Sequence, residues 1–152
     1  MRELGKLKEA EVSLCKAIKI KPDYAEAHLN KGTILRDLGR LEEAELITRK
    51  AIELNPHLAE AHSNLGNILN DLGDLQEAEV SQRKAIELKP DFANAHSNLG
   101  TILIDLGKLQ ELILLSKSTL ELKLTNQGHK LRALLRITIV SLLQKDFSET
   151  LL

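Results

Sequence analysis

The sequence predicts an all-α solenoid of stacked antiparallel helix pairs, and three observations predict it. Pro22, Pro56 and Pro90 stand 34 residues apart. Residues 25–58 and 59–92 align without gaps and agree at 22 of 34 positions. The 152-residue chain is rich in Leu, Ile, Ala, Glu and Lys, with 3 Pro and 2% aromatics, which favours helix over strand. A fixed period of this size marks helix–turn–helix units that bury their apolar faces only against neighbouring copies. The organisation that follows is a half repeat at 1–24 and full repeats at 25–58 and 59–92. A repeat at 93–126 has a divergent second half, and 127–152 is divergent and truncated.

Leu-Gly pairs punctuate the chain at Leu4-Gly5, Leu38-Gly39, Leu72-Gly73 and Leu106-Gly107. Each reads as a helix stop, because a left-handed residue after a helix costs least without a Cβ. Met1–Leu4 is then the last turn of one helix, and Lys6–Ile20 is a second helix without its partner. The unit is clearest from Asp23 to Pro56. Asp23 stands three residues before Glu26, a capping box for the first helix, which runs through Leu38. The second helix begins near Leu41 and ends before Pro56. Its apolar or small residues Leu41, Ala44, Ile47, Thr48, Ala51 and Ile52 share one helical face.

Gly32, Gly66 and Gly100 fall inside first helices, where each costs about 1 kcal/mol relative to Ala. Opposite small residues Ala10, Ala44 and Ala78, they imply a close crossing of the two helices, with Leu35, Leu69 and Leu103 filling the space around it. Leu65 and Leu99 precede their glycines, but Lys31 takes that place in the first repeat. The pattern decays after Gly107, where Leu112 and Thr119 replace the expected Ala and Leu124 replaces the fourth proline. A Leu at a close crossing pushes the third helix pair apart. Gln127–Gln144 still reads as a helix, and Phe147 resembles the Leu that opens each second helix, four residues late. With both ends incomplete, the chain reads as part of a longer array; self-association through bare terminal helices is the alternative.

Charge excludes some partners. The net charge is −1, so neither nucleic acid nor an anionic membrane is expected to bind. The balance is uneven, with ten acids against four bases over Leu41–Glu87, and the first reading is of solvated helix faces. Cys15 is the sole cysteine, which suits a reducing, cytoplasmic setting, and no apolar run is long enough for a transmembrane helix. No nucleophile–base pair, phosphate loop or metal-ligand spacing appears, so the expected protein is not an enzyme and needs no cofactor or metal. His28, His62 and His96 recur once per repeat with no second ligand type beside them, and read as packing residues. Arg49-Lys50 and Arg83-Lys84 read as an outward, solvated face.

The positions Gly32, Ala44, Ala51 and Pro56, repeated as Gly66, Ala78, Ala85 and Pro90 and half-repeated as Ala10, Ala17 and Pro22, resemble the tetratricopeptide repeat family. The likeness covers at least Gly5–Leu122. Ala61–Gly66 and Phe92–Gly100 look especially like repeats attached to O-linked N-acetylglucosamine transferases and to bacterial scaffolds. The family's large aromatics are replaced by His28, His62 and His96 and by Leu35, Leu69 and Leu103, which suggests a softer core. The resemblance implies a right-handed superhelix of about three and a half repeats whose first helices line a concave groove.

By position, that groove takes Asn30, Thr33 and Asp37, then Asn64, Asn67 and Asp71, then Asn98, Thr101 and Asp105. Asn30, Asn64 and Asn98 form a ladder, and a carboxamide can pair with peptide N–H and C=O whatever the sequence. The alternative is that these Asn bond neighbouring helices or water. The Asp row precedes each Leu-Gly stop, where an acid is unfavourable for the helix dipole, so it serves either the groove or an adjacent helix start. Leu29, Ser63 and Ser97 occupy the position where the family's carboxylate clamp has its first Lys, so a clamp is not expected. The expected function is a non-catalytic scaffold that holds a polypeptide segment in the groove. A substrate-presenting arm of a larger enzyme, such as a protein O-glycosyltransferase, and a self-associating structural module are the alternatives.

Overall fold

The computed structural model describes residues 2–108 and 110–114. Six α-helices follow one another: α1 (Arg2–Ile20), α2 (Ala25–Asp37), α3 (Leu41–Leu54), α4 (Ala59–Leu72), α5 (Leu75–Leu88) and α6 (Ala93–Asp105). The architecture is all-α, built of helix pairs joined by tight turns. The chain divides into two compact units, residues 1–90 with α1–α5 and residues 91–152 with α6.

The expected stops form as Schellman turns. Gly39, Gly73 and Gly107 take positive φ (75°, 87° and 69°). Around Gly39, its own N–H bonds Arg36 O and the Arg40 N–H bonds Leu35 O, both at 2.9 Å. The pairs Gly73–Asn70 with Asp74–Leu69, and Gly107–Ile104 with Lys108–Leu103, repeat the pattern. These bonds satisfy carbonyls that a helix end otherwise leaves open. The second helices end differently. Asn55 and Lys89 are extended (φ −142° and −141°), as the residue before a proline must be to avoid the ring.

Two expected helix ends are corrected. Gly5 does not stop a helix: α1 runs unbroken from Arg2 to Ile20. The helix passes through Gly5 at the cost of one interior glycine. Asp23 does not cap α2 either. Tyr24 is the N-cap, with no side-chain bond, and its N–H closes a turn on Lys21 O at 3.2 Å. That places Asp23 one residue outside the helix and Glu26 one short of the capping-box position. Asp74 does cap α5, accepting from the Glu77 N–H at 3.3 Å.

Within residues 1–90, α2 packs on α3 and α4 on α5, while α3 and α2 both touch α4. Leu35, Ala44 and Ile68 form a buried cluster from three helices, with Ile47 against it. Burying such side chains contributes roughly 1.5–3 kcal/mol each. Ala44, Ala51, Ala78 and Ala85 have no exposed surface, as their spacing predicts. In the second unit, Leu99, Ile102, Leu103 and Leu112 are buried. The expected spreading of the third pair, the helix at Gln127–Gln144, Thr119, Leu124, Phe147 and the repeat at 127–152 lie outside the described residues.

The glycines of the first helices answer to the second helices, but not mainly to Ala44. A Cβ on Gly32 would overlap Thr48 Oγ1, with the Ala44 carbonyl farther off at 3.4 Å. A Cβ on Gly66 would stand 2.7–2.9 Å from the Gln82 side chain. The notch above Gly32 and that above Gly66 therefore each hold one polar side chain from the partner helix.

Candidate functional site

The direct contact of α2 with α4 joins the first helices of successive repeats side by side, so their outward positions share one face. Asn30, Thr33 and Asp37 are all exposed on α2. Thr33 Oγ1 donates to Leu29 O of its own helix at 3.2 Å. On α4, Asn64 and Asn67 are half-buried and Asp71 is exposed. In the second unit, α6 carries half-buried Asn98 with exposed Thr101 and Asp105, and Thr101 Oγ1 donates to Ser97 O at 3.3 Å. The structure thus brings Asn30, Thr33, Asp37, Asn64, Asn67 and Asp71 to one face, with Asn98, Thr101 and Asp105 at matching positions of α6.

Several of these side chains also hold the fold. Gln82, fully buried on α5, accepts from Ser63 Oγ at 3.0 Å and donates to Ser63 O at 3.0 Å and to Asn67 Oδ1 at 2.8 Å. Asn67 is therefore anchored through its oxygen. Asn64 Nδ2 donates to Thr48 Oγ1 of the preceding repeat at 3.4 Å, a long bond that holds it weakly. Asp71 pairs with Arg36 on α2 at 2.6 Å, each side chain about one-third exposed. Such a pair contributes roughly 0.2–1 kcal/mol and crosses from one first helix to the next. For Asp71, the partner lies in the last turn of the neighbouring first helix and not at a helix start.

The histidines do structural work. His28 Nε2 lies 2.8 Å from Pro22 O and His62 Nε2 2.9 Å from Pro56 O. A carbonyl only accepts, so Nε2 carries the proton in both. Each imidazole ties a first helix to the proline that precedes it. Among the described residues, no group of three or more His, Cys, Asp or Glu converges as a metal ligand set. No helix among them is long and apolar enough to cross a membrane.

Arg49 departs from the solvated role expected of Arg49-Lys50. It bonds Glu45 at 2.8 Å on its own helix and Glu77 on α5 at 2.6 Å. Burial works against its charge, but the bonds to Glu77 and Glu45 outweigh that and hold its pKa above the usual arginine value. Arg40, at the start of α3, similarly bonds Glu11 on α1 at 2.7 Å and Glu43 at 2.6 Å. Its bonds to Glu43 and Glu11 push its pKa upward, and its own hydrogen bond holds Glu43 below the usual carboxylate range. Arg83 pairs within α5 with buried Glu79 at 2.8 Å. Sequence reading missed Gln82 and Arg36. The signal for Gln82 was a polar residue sixteen positions after a helical glycine, which Thr48 shares.

Tetratricopeptide repeat models match residues 2–24, 25–58 and 48–80, and a TPR repeat model matches residues 66–107. No curated protein matches the chain. Among solved structures, a mutant O-GlcNAc transferase of Thermobaculum terrenum is 32% identical, with a TM-score of 0.63 over 67% of this chain. The match spans 20% of the transferase, so the chain corresponds to about a fifth of that protein's length. A crystal structure of MamA is 23% identical with a TM-score of 0.72, covering 99% of this chain and 95% of that one. YrrB, described as a TPR protein with an unusual peptide-binding site, is 23% identical with a TM-score of 0.67 over 84% of this chain and 65% of its own. At these identities, the last two likenesses are of fold.

Proposed function

The chain belongs to the tetratricopeptide repeat family, and from that premise we propose that it is a non-catalytic scaffold holding an extended polypeptide on the face of its first helices. Asn30, Asn64 and Asn98 pair with the backbone of the bound segment, while Thr33, Asn67, Thr101, Asp37 and Asp105 set preference among side chains. The observation that carries the reading is the state of the ladder on α2 and α4. Asn30 is exposed, and Asn64 is held only by one long bond, so both retain polar capacity on a shared face. YrrB, which shares the fold and is described as having an unusual peptide-binding site, is consistent with that use. Exposed Cys15 fits a reducing, cytoplasmic setting.

Replacing Asn30, Asn64 and Asn98 together by Ala tests the reading against any peptide the chain retains. Binding falls while the helical circular dichroism is unchanged; loss of helicity at equal binding would assign the ladder to the fold instead. A second reading is favoured by the transferase likeness, which is 32% identical but spans a fifth of that protein. On it, this chain is the substrate-presenting arm of a larger glycosyltransferase. A catalytic domain encoded in frame beyond Leu152 decides for the arm, and a stop codon there decides against it.

A further inference from the structure

The second helices carry a pattern that neither the core nor the first-helix face uses. Val12, Leu46, Val80 and Leu114 stand 34 residues apart and are 54%, 69%, 65% and 64% exposed. Single exposed apolar residues are ordinary, but four in phase are not explained by chance placement. Three residues before each stands a Glu (Glu9, Glu43, Glu77, Glu111). Four residues after Val12, Leu46 and Val80 stands a Lys (Lys16, Lys50, Lys84), and only the divergent repeat breaks the row, with Ser118. On α1, α3 and α5 that spacing puts acid, apolar and basic residues in order along one helix face.

Simple copying of the repeat does not account for the pattern. Neighbouring second-helix positions have drifted in charge, as in Lys6, Arg40, Asp74 and Lys108, or Lys8, Glu42, Gln76 and Gln110. The apolar row has changed identity between Val and Leu while staying apolar. Nor does one internal bond explain the Glu row, because Glu43 pairs with Arg40 whereas Glu77 pairs with Arg49. Within residues 1–90 the second helices do not pack on one another directly but are linked by the ion pairs Arg40–Glu11 and Arg49–Glu77. Beside Val80, a depression of about 430 Å³ between α3 and α5 adds apolar surface from Ile52 and Leu65.

We propose that this face docks a second copy of the chain, about a two-fold axis running across the second helices from α1 to α5. That rotation turns each Glu end over a Lys end, so Glu43 meets Lys50 of the other copy and Glu77 meets Lys84, while Leu46 and Val80 face their own counterparts. The perpendicular two-fold would set Glu on Glu and Lys on Lys. A face that supplies both halves of its own charge complement fits a second copy, in a closed isologous dimer. This surface takes in one flank of the terminal helix α1 and is distinct from the first-helix face.

Sedimentation equilibrium of the full chain, over a range of concentrations, tests the proposal. The expected result is a monomer–dimer equilibrium that weakens with added salt. In Leu46→Glu/Val80→Glu, and separately in Lys16→Glu/Lys50→Glu/Lys84→Glu, the dissociation constant rises about tenfold or more with helical content unchanged. The second variant alters lysines that lie outside the core, of which Lys50 and Lys84 make only local pairs with Glu53 and Glu87, so it decides if the first fails to fold. A concentration-independent monomer overturns the proposal. So does a dimer indifferent to both variants, which points to the terminal helices, or a species that keeps growing beyond two copies.

Discussion

Residues 25–58 and 59–92 share most of their sequence, yet their first helices are held differently. On α4, Asn67 is anchored by Gln82, Asp71 by Arg36 and Asn64 loosely by Thr48. On α2, Asn30, Thr33 and Asp37 are exposed, and Thr33 bonds only its own helix. The difference starts at one position of the second helix. Gln82 fills the notch above Gly66 and makes three bonds to α4, whereas Thr48 meets Gly32 with a single hydroxyl. A repeat can therefore keep its fold while the side chain in that notch sets how much of the first-helix face is committed to packing.

The largest break in that comparison is expected at Gln82. Gln82→Leu removes three hydrogen bonds and leaves the buried Ser63 hydroxyl without its acceptor, and unfolding in urea should show a loss of about 2–4 kcal/mol. Thr48→Val, which removes one long bond, should cost under about 1 kcal/mol. Equal losses would mean that the two repeats are held alike. Next in size, Gly66→Ala drives a Cβ into the Gln82 side chain and should cost about 1–3 kcal/mol. Gly5→Ala, in a helix with open space around it, should instead raise the melting temperature through a gain of up to about 1 kcal/mol.

A smaller contrast separates the two acids of the Asp row. Asp71→Asn should lose about 0.5 kcal/mol at low salt and nothing at high salt, because its partner Arg36 is only partly shielded from water. Asp37→Asn should leave stability unchanged in the same denaturation series. The smallest effect is in acid. The Arg40 hydrogen bond lowers the pKa of Glu43, so its contribution is complete above the ordinary carboxylate value and fades as pH falls through its own lower one. In Glu43→Gln, the fall of stability on acidification should be shallower over that window.

The fold was largely legible because its signals are local and repeated. A positive-φ glycine after a helix and a proline after the next are decided by backbone sterics, and they recur in phase. Gly39, Gly73, Gly107 and the prolines accordingly fell where the spacing put them. Gly5 misled because a Leu-Gly pair permits a left-handed stop without compelling one. Asp23 misled because the turn from Lys21 to Tyr24 moved the cap by one residue. For the site, position within the repeat was readable, but commitment to packing was not. That depends on pairs far apart in sequence, such as Arg36 with Asp71 and Gln82 with Ser63 and Asn67, for which no local rule exists.

The central claim is that the Asn ladder of the first helices grips a peptide backbone. It is tested most directly by following side-chain amide resonances in a nuclear magnetic resonance titration with unstructured peptides of mixed sequence. The account predicts that the carboxamide signals of Asn30 and Asn64 shift in step with binding, while that of buried Gln82 stays in place. Shifts confined to Leu46, Val80 and their neighbours on the second helices, with Asn30 and Asn64 unmoved, would contradict it.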